Sequence, residues 1–347
     1  MQSISLALQT TFAELIERCL DASFDRDFDE QGQFVKVTSK AREYWYFQKY
    51  QHGGRNRRYV GPVSEPEITS RVKKFKELKA DFSERREMVR ALGQILPRPD
   101  GTTGAVVEAL WKAGFFRLRG VLVGTVAFQA YAGLLGLKLP STSIMTQDAD
   151  FAQFKAISDA VGDTMPPILD VLQEVDEGFK PVPALDPASV TAFINQDQYR
   201  VEFLTPNRGS DEHQGKTAEM PALGGAGATP LRYLDFLIKD PVWSVVLYRG
   251  GVAVRVPDPA RYAVHKMIVS TRRHKTAFAK ADKDIFQAGI LIEALSKHRS
   301  FELGEAMSIA ESSGPKWKAA IEQASTALNE ETLVLLEKAR EAFRKST

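Results

Sequence analysis

The sequence predicts an α/β chain, α+β in layout: a small mixed sheet flanked by helices, a C-terminal helical domain, and an N-terminal helix and β-hairpin extension. Three patterns predict it. In the middle of the chain, short apolar runs bounded by turn residues lie between stretches of helical period. Beyond Pro257 the pattern is helical to the end. Ahead of residue 100, aromatic and polar residues alternate around Gly53-Gly54, as in a hairpin. With 347 residues, 44% hydrophobic and 26% charged, the chain is long enough for two or three domains and apolar enough to bury a core.

The first 30 residues place Leu6, Leu8, Phe12, Leu15, Ile16 and Leu20 at helical spacing. They lack the basic start and continuous apolar run of a secretory signal. Residues 33–62 read as a hairpin or three-stranded sheet, strongly basic through Lys36, Lys40, Arg42, Lys49, Arg55, Arg57 and Arg58. A charged helical stretch fills 66–96, and Pro97-Arg98-Pro99-Asp100-Gly101 breaks it. Next come a helix at 104–114, a strand at 115–123, a turn at Gly124-Thr125, a helix at 126–137 and a strand at 142–151. Helices near 152–162 and 166–176 precede strands near 178–183 and 190–204. Residues 205–228 read as a polar, Gly-rich loop, and two more strands fall near 243–248 and 252–256. The predicted domains are 1–100, 101–256 and 257–347.

The chemistry concentrates in Asp148-Ala149-Asp150-Phe151. In a strand, alternate residues share a face, so Asp148 and Asp150 stand side by side while Ala149 and Phe151 face the core. Adjacent carboxylates repel unless a cation lies between them. Magnesium, or manganese in its place, fits such a pair because a hard dication takes carboxylates together with substrate phosphate oxygens. Glu202, in the apolar run Tyr199-Arg200-Val201-Glu202-Phe203-Leu204, is the third carboxylate, for a second ion or as base. Gly124 and Thr125 open a helix, where backbone N–H groups seat phosphate. Structural alternatives exist for each: Glu202 as partner of Arg200, Thr125 as a helix cap, and Lys266, Lys283 and Asp284 on a solvated face.

The runs LRGVLVGTVAFQAY, TQDADF and YRVEFL together resemble the polymerase β-like nucleotidyltransferase superfamily. The long spacing from Gly124 to Asp148 is similar to the bacterial branch holding AbiE-type toxin nucleotidyltransferases. The segment VPDPARYAVHKMIVSTRRHKTAFAKADKDIFQA matches that branch through Lys266, Arg273, Lys283 and Asp284. Thr125 stands where serine is commoner. The resemblance covers about 104–295. It implies a magnesium-dependent enzyme that moves a nucleoside monophosphate from an NTP to an acceptor hydroxyl. Asp148, Asp150 and Glu202 would be catalytic and metal-binding. Gly124, Thr125, Lys266 and Asp284 would bind the nucleotide.

Partners follow from the rest. Basic residues interleaved with aromatics between Lys36 and Arg58 suit RNA or DNA, with tRNA or another RNA end as acceptor. The alternative for those rings is packing on the neighbouring helix. The toxin-like branch implies an antitoxin partner. Competing functions are modification of a protein or small-molecule acceptor, and a catalytically inactive nucleic-acid-binding module of the same fold. A net charge of +2 decides none of these. A lone cysteine, Cys19, excludes a disulfide framework and suits a reducing cytoplasm. No apolar run is long enough to span a membrane.

Overall fold

A computed structural model of the chain describes residues 2–28, 33–39, 42–51, 54–74, 82–140, 146–183, 190–207, 216–273 and 278–346. The N-terminal part runs α1 (Leu6–Phe28), β1 (Gln33–Ser39), β2 (Arg42–Gln51), β3 (Gly54–Pro62), α2 (Pro66–Lys74) and α3 (Phe82–Leu92). The middle part runs α4 (Gly101–Lys112), β4 (Val121–Val123), α5 (Gly124–Leu134), β5 (Asp148–Ala152), α6 (Lys155–Ala160), α7 (Ile168–Gln173), β6 (Lys180–Pro181) and β7 (Ala192–Ile194). It continues through β8 (Arg200–Pro206), β9 (Ala218–Glu219), β10 (Gly227–Leu231), α8 (Leu234–Leu237), β11 (Val242–Val246) and β12 (Val252–Val256). The C-terminal helices are α9 (Pro259–Ser270), α10 (Phe278–His298), α11 (Ser300–Ser312), α12 (Pro315–Ser325) and α13 (Glu330–Ser346). The predicted small mixed sheet flanked by helices, with a helical C-terminus and an N-terminal helix and hairpin, is what the chain adopts.

The central sheet has the order β4-β5-β8-β10-β9. β4 is antiparallel to β5, whereas β8 runs parallel to both β5 and β10. β7 pairs antiparallel with the first half of β8, on the same edge that β10 takes further along, and β6 extends from β7. One face of β5 and β8 carries Ala149, Phe151, Val201 and Phe203, all buried. Phe115 packs edge-on against Phe151 with ring centroids 5.3 Å apart, and Phe151 stacks on Phe203 at 5.9 Å. This aromatic layer fixes which face of the sheet is core, because a one-residue slip of β5 would exchange its two phenyl- and alanine-bearing positions with the aspartates. The C-terminal helices feed Leu291, Leu303, Met307, Ile321 and Leu336 into the same continuous core.

The N-terminal part is tied down at two places. Phe12, Leu15 and Cys19 of α1 pack with Val89 and Leu92 of α3, Ala132 of α5 and Val245 of β11. In the β1-β2-β3 sheet, Phe47 and Val60 meet Ile68 and Val72 of α2, and the Trp45 indole donates to Thr69 Oγ1 at 2.9 Å. On the other face Tyr44 and Tyr46 pack on Tyr59, with centroids 6.1 and 5.7 Å apart. The Tyr59 N–H donates to Asp163 Oδ2 at 3.1 Å, and Arg117 donates to the Tyr59 carbonyl and to Asp163, both at 2.6 Å. The hairpin rings are therefore engaged by their own chain. Expectations placed on Lys40, Gly53, 142–145 and 208–215 lie outside the described residues.

Four boundaries differ from expectation. The strand at 115–123 is only Val121–Val123, because Gly114 (φ +94°) and Arg119 (φ +66°) curl the preceding segment. The run 190–204 is two strands, broken where Gln198 takes φ +62° and Asn195 Oδ1 accepts from the Tyr199 N–H at 2.8 Å. Part of 205–228 is strand: β10 is Gly-Ala-Thr-Pro-Leu, of low strand propensity, and forms because β8 offers it a free edge. The strand read at 142–151 begins, among the described residues, only at Asp148 and runs to Ala152. Among the described residues no helix is long and apolar enough to cross a membrane.

Candidate active site

The register of β5 on β8 builds the acidic face. Asp148 lies opposite Arg200, and Asp150 lies opposite Glu202. On its other side Asp150 is opposite Val123, the last residue of β4. The period-two rule places Asp148, Asp150, Arg200 and Glu202 on the face away from Phe151 and Phe203. Sequence reasoning expected 148, 150 and 202 to converge; the register puts 150 opposite 202, with 148 two residues along the same strand.

Gly124 is where β4 turns into α5, and its φ is +66°. A Cβ at this position would come within 2.5 Å of Asp150 Oδ2. Glycine is thus required twice, by the left-handed backbone and by the carboxylate pressed against it. Val123 is the N-cap of α5 and supplies no side-chain cap, so Thr125 is not the cap considered as its alternative role. Thr125 lies buried in the first turn. The Tyr262 hydroxyl, from α9, donates to the Gly124 carbonyl at 2.9 Å. Because a trans peptide points its C=O and N–H in opposite directions, this bond also fixes the direction of the Thr125 N–H.

The carboxylates differ in their partners. Asp148 accepts from the Thr146 hydroxyl. Glu202 accepts from Arg200 Nε and from Thr229 Oγ1, each at 3.3 Å. The Arg200 contact considered for Glu202 is therefore formed, and it is long. Asp150 has no hydrogen-bond donor among the described residues. Burial pushes its carboxyl from 3.8 up to about 7; the charges of Asp148 and Glu202 push the same way, and Lys266 and Lys280 oppose them.

Lys266, expected at the nucleotide, is buried and donates to Asp284 Oδ1 at 2.5 Å. Arg273 Nε donates to the other oxygen of Asp284 at 2.8 Å. Burial alone would raise the Asp284 carboxyl, but Lys266 and Arg273 more than offset it and hold it below the ordinary value. Lys266 also lies over the Tyr262 ring, 5.4 Å from its centroid. Burial lowers the Lys283 ammonium, and Lys266 adds to that. His265 is carried down to about 3 by burial first and then by Lys266, so it is a neutral ring with no acid–base role near neutral pH.

A divalent cation is tested against this donor set on two observations. Asp150 is a crowded carboxylate whose charge is compensated only at a distance, as the pair with Asp148 requires if a dication belongs there. Against that, among the described residues no three His, Cys, Asp or Glu side chains are already drawn together closely enough to hold an ion. Glu202 is engaged instead by Arg200 and Thr229, each at 3.3 Å. Such contacts are weak enough for a side-chain rotation to break, so the three carboxylates fit a dication once Glu202 turns.

Tyr262 and Thr229 touch this site and were not singled out from the sequence. Tyr262 precedes Lys266 by one helical turn, so the spacing that brought Lys266 to the site carried Tyr262 with it. Thr229 had no such signal, since it lies just past the run 205–228 read as a loop, where no strand was expected.

A family model described as Nucleotidyltransferase matches residues 101–311, from the first residue of α4 into α11. No curated protein and no solved structure matches the chain. The family match contains β4, the Gly124 turn, both aspartates, Glu202 and the Lys266–Asp284 pair. The chain belongs to the nucleotidyltransferase family, within the polymerase β-like superfamily.

Proposed function

We propose that the chain transfers a nucleoside monophosphate from an NTP to an acceptor hydroxyl, breaking the α–β phosphoanhydride and releasing pyrophosphate, with Asp148, Asp150 and Glu202 as the metal-binding acids. One observation carries this reading: Asp150 sits between a carboxylate on its own strand and one on the next, pressed against a glycine turn, with its carboxyl pushed up to about 7. Protein interiors avoid that arrangement unless an external cation completes it. When bound, magnesium or manganese supplies Lewis-acid charge to the transferring phosphoryl group. The chain's own residues do the rest. Asp148 and Asp150 anchor the ion, and Glu202, released from Arg200 and Thr229, completes the set or takes the proton of the acceptor hydroxyl. The Gly124–Thr125 turn offers backbone N–H groups to the phosphates. Lys266 lends positive potential from a fixed position set by Asp284.

A second reading is favoured by the Glu202 contacts: the fold would bind nucleic acid and have lost catalysis. Incubation with each α-labelled NTP, magnesium and total RNA or lysate separates the two. Label in RNA, protein or a small molecule, abolished by Asp150→Asn, supports transfer. No labelled species with any NTP or metal overturns it. A toxin role with an antitoxin partner rests only on the resemblance in the Gly124–Asp148 spacing and the 256–288 segment; it predicts growth arrest on expression, relieved by Asp150→Ala.

A further inference from the structure

A second charged feature lies away from the acidic face. An open hollow of about 610 Å³ is lined by Arg86, Glu87, Val89 and Arg90 of α3, Arg98 of the connector to α4, and Arg249 of the β11–β12 turn. Four guanidinium groups thus share one concavity with one carboxylate. Glu87 is only 3.8 Å from Arg90, and both are well exposed. Arg249 is held from below by Glu108 at 2.8 Å, a carboxylate that also receives Lys112 at 3.3 Å. Arg86 and Arg98 have no carboxylate partner among the described residues.

Two features show that the arginines are placed. Gly93, just past α3, leaves room for the Arg98 stem: a Cβ there would meet Arg98 Cδ at 2.5 Å. Arg249 holds φ +51°, a left-handed conformation in which arginine is uncommon, and its guanidinium lies over the Tyr248 ring at 5.2 Å. Like charges gathered around a solvent-filled hollow repel unless an anion joins them. All four cations are arginine, whose planar fork matches phosphate oxygens in pairs. They come from three separate segments and outnumber what one phosphate needs, so they suit a row of phosphates better than one.

We infer that the arginine hollow is the seat of a single-stranded nucleic acid, bound through consecutive backbone phosphates. Only the further description of that strand as the acceptor rests on the transfer reading; the binding itself does not.

The test is fluorescence anisotropy with short labelled single-stranded RNA, and with DNA of the same sequence, across a salt series. The protein is the full chain carrying Asp150→Asn, so turnover cannot intervene. Arg86→Gln/Arg98→Gln should weaken binding at least about ten-fold near 0.1 M salt. It should also flatten the plot of log affinity against log salt by about 0.7 for each arginine lost. Arg344→Gln, an exposed arginine at the end of α13, should do neither. Both substituted arginines are exposed, so folding is expected to survive, and a melting curve checks it. Absence of nucleic-acid binding, an unchanged salt slope in the double variant, or equal displacement of RNA by polyglutamate would overturn the inference. If the strand binds as described while wild-type protein transfers no label, the transfer reading has failed and the hollow stands.

Discussion

Asp150, half-buried, and Asp284, buried, both fall inside the family match, yet the fold treats them oppositely. Asp284 is met by Lys266 at 2.5 Å and Arg273 at 2.8 Å, and its carboxyl is held below the ordinary value. Asp150 is met by two other carboxylates and pushed up to about 7. Lys266 lies near both, but Asp284 already takes most of its charge. The contrast separates two uses of an acid on an element packed against the core. One is completed by the chain and ties α9 to α10. The other is left incomplete by the chain, which is what a site for an external cation requires.

The largest effect should come from Asp150→Asn. Transfer of labelled nucleotide should fall at least about 10³-fold, several kcal/mol of transition-state stabilisation. The same variant should stabilise the metal-free protein, and the sign follows from linkage. The native carboxyl keeps its proton up to about 7, whereas the unfolded one releases it near 3.8. Between those values the native state binds more protons, so the stability contributed by this group is full at low pH and lost as pH rises through about 7. Urea unfolding without divalent cation should therefore show the variant ahead of wild type at pH 8 and level with it near pH 4. A variant less stable at pH 8 would mean that Asp150 is paired after all.

Asp284→Asn should do the reverse. It leaves the buried Lys266, and the exposed Arg273 beside it, facing a neutral group, a loss on the order of 3 kcal/mol, most of it from Lys266 because solvent screens Arg273. Because the Asp284 carboxyl is depressed, its contribution is present above the ordinary carboxylate range and fades as pH falls. The gap from wild type should narrow in acid. If stability barely changes while the KM for NTP rises, Asp284 acts on the nucleotide as the resemblance implied, and the comparison breaks.

Why some of this was legible and some was not is itself physical. The acidic face was legible because period-two alternation is a local property: Asp148, Asp150 and Glu202 each sit one residue from a core residue of their own strand. That strands 148–152 and 200–204 are direct neighbours could not be read locally, because pairing across about fifty residues depends on the closed core. The state of Lys266 was likewise hidden. Whether a lysine on a helix faces water or a buried aspartate depends on how α9 and α10 dock, and the structure gives it Asp284. β10 escaped because its residues have no strand preference of their own, and only the edge of β8 makes them one.

Gly124→Ala should sharpen the comparison at the backbone. The left-handed φ costs about 1–2 kcal/mol for a residue with a Cβ. The new methyl would also press on Asp150 Oδ2, 2.5 Å from its position. Nucleotide transfer should therefore drop by more than the stability loss accounts for, because the displaced group is the one carboxylate without a donor. An alanine variant that transfers normally would remove the turn from the site.

The smallest effect, and the finest discriminator, is Tyr262→Phe. The ring stays, so its packing on Phe128 at 6.0 Å and Tyr131 at 5.1 Å is kept, and only the hydroxyl is lost. That hydroxyl has one proton for two acceptors, the Gly124 carbonyl at 2.9 Å and Gln287 Oε1 at 3.2 Å. The shorter bond takes it, which leaves the hydroxyl oxygen to accept from the Gln287 amide once that amide is turned about. Losing the bond to Gly124 frees the peptide whose N–H belongs to Thr125. The expected cost is about 1 kcal/mol of stability. A purely structural tyrosine would stop there, with kcat and KM unchanged once the protein is folded. A tyrosine that positions the phosphate turn should raise the KM for NTP several-fold and leave metal-dependent protection of Asp150, read as the pH 8 stability gain on adding magnesium, unaltered. The site would then have two separately breakable halves: acids set by β5 and β8, and a phosphate turn set by α9.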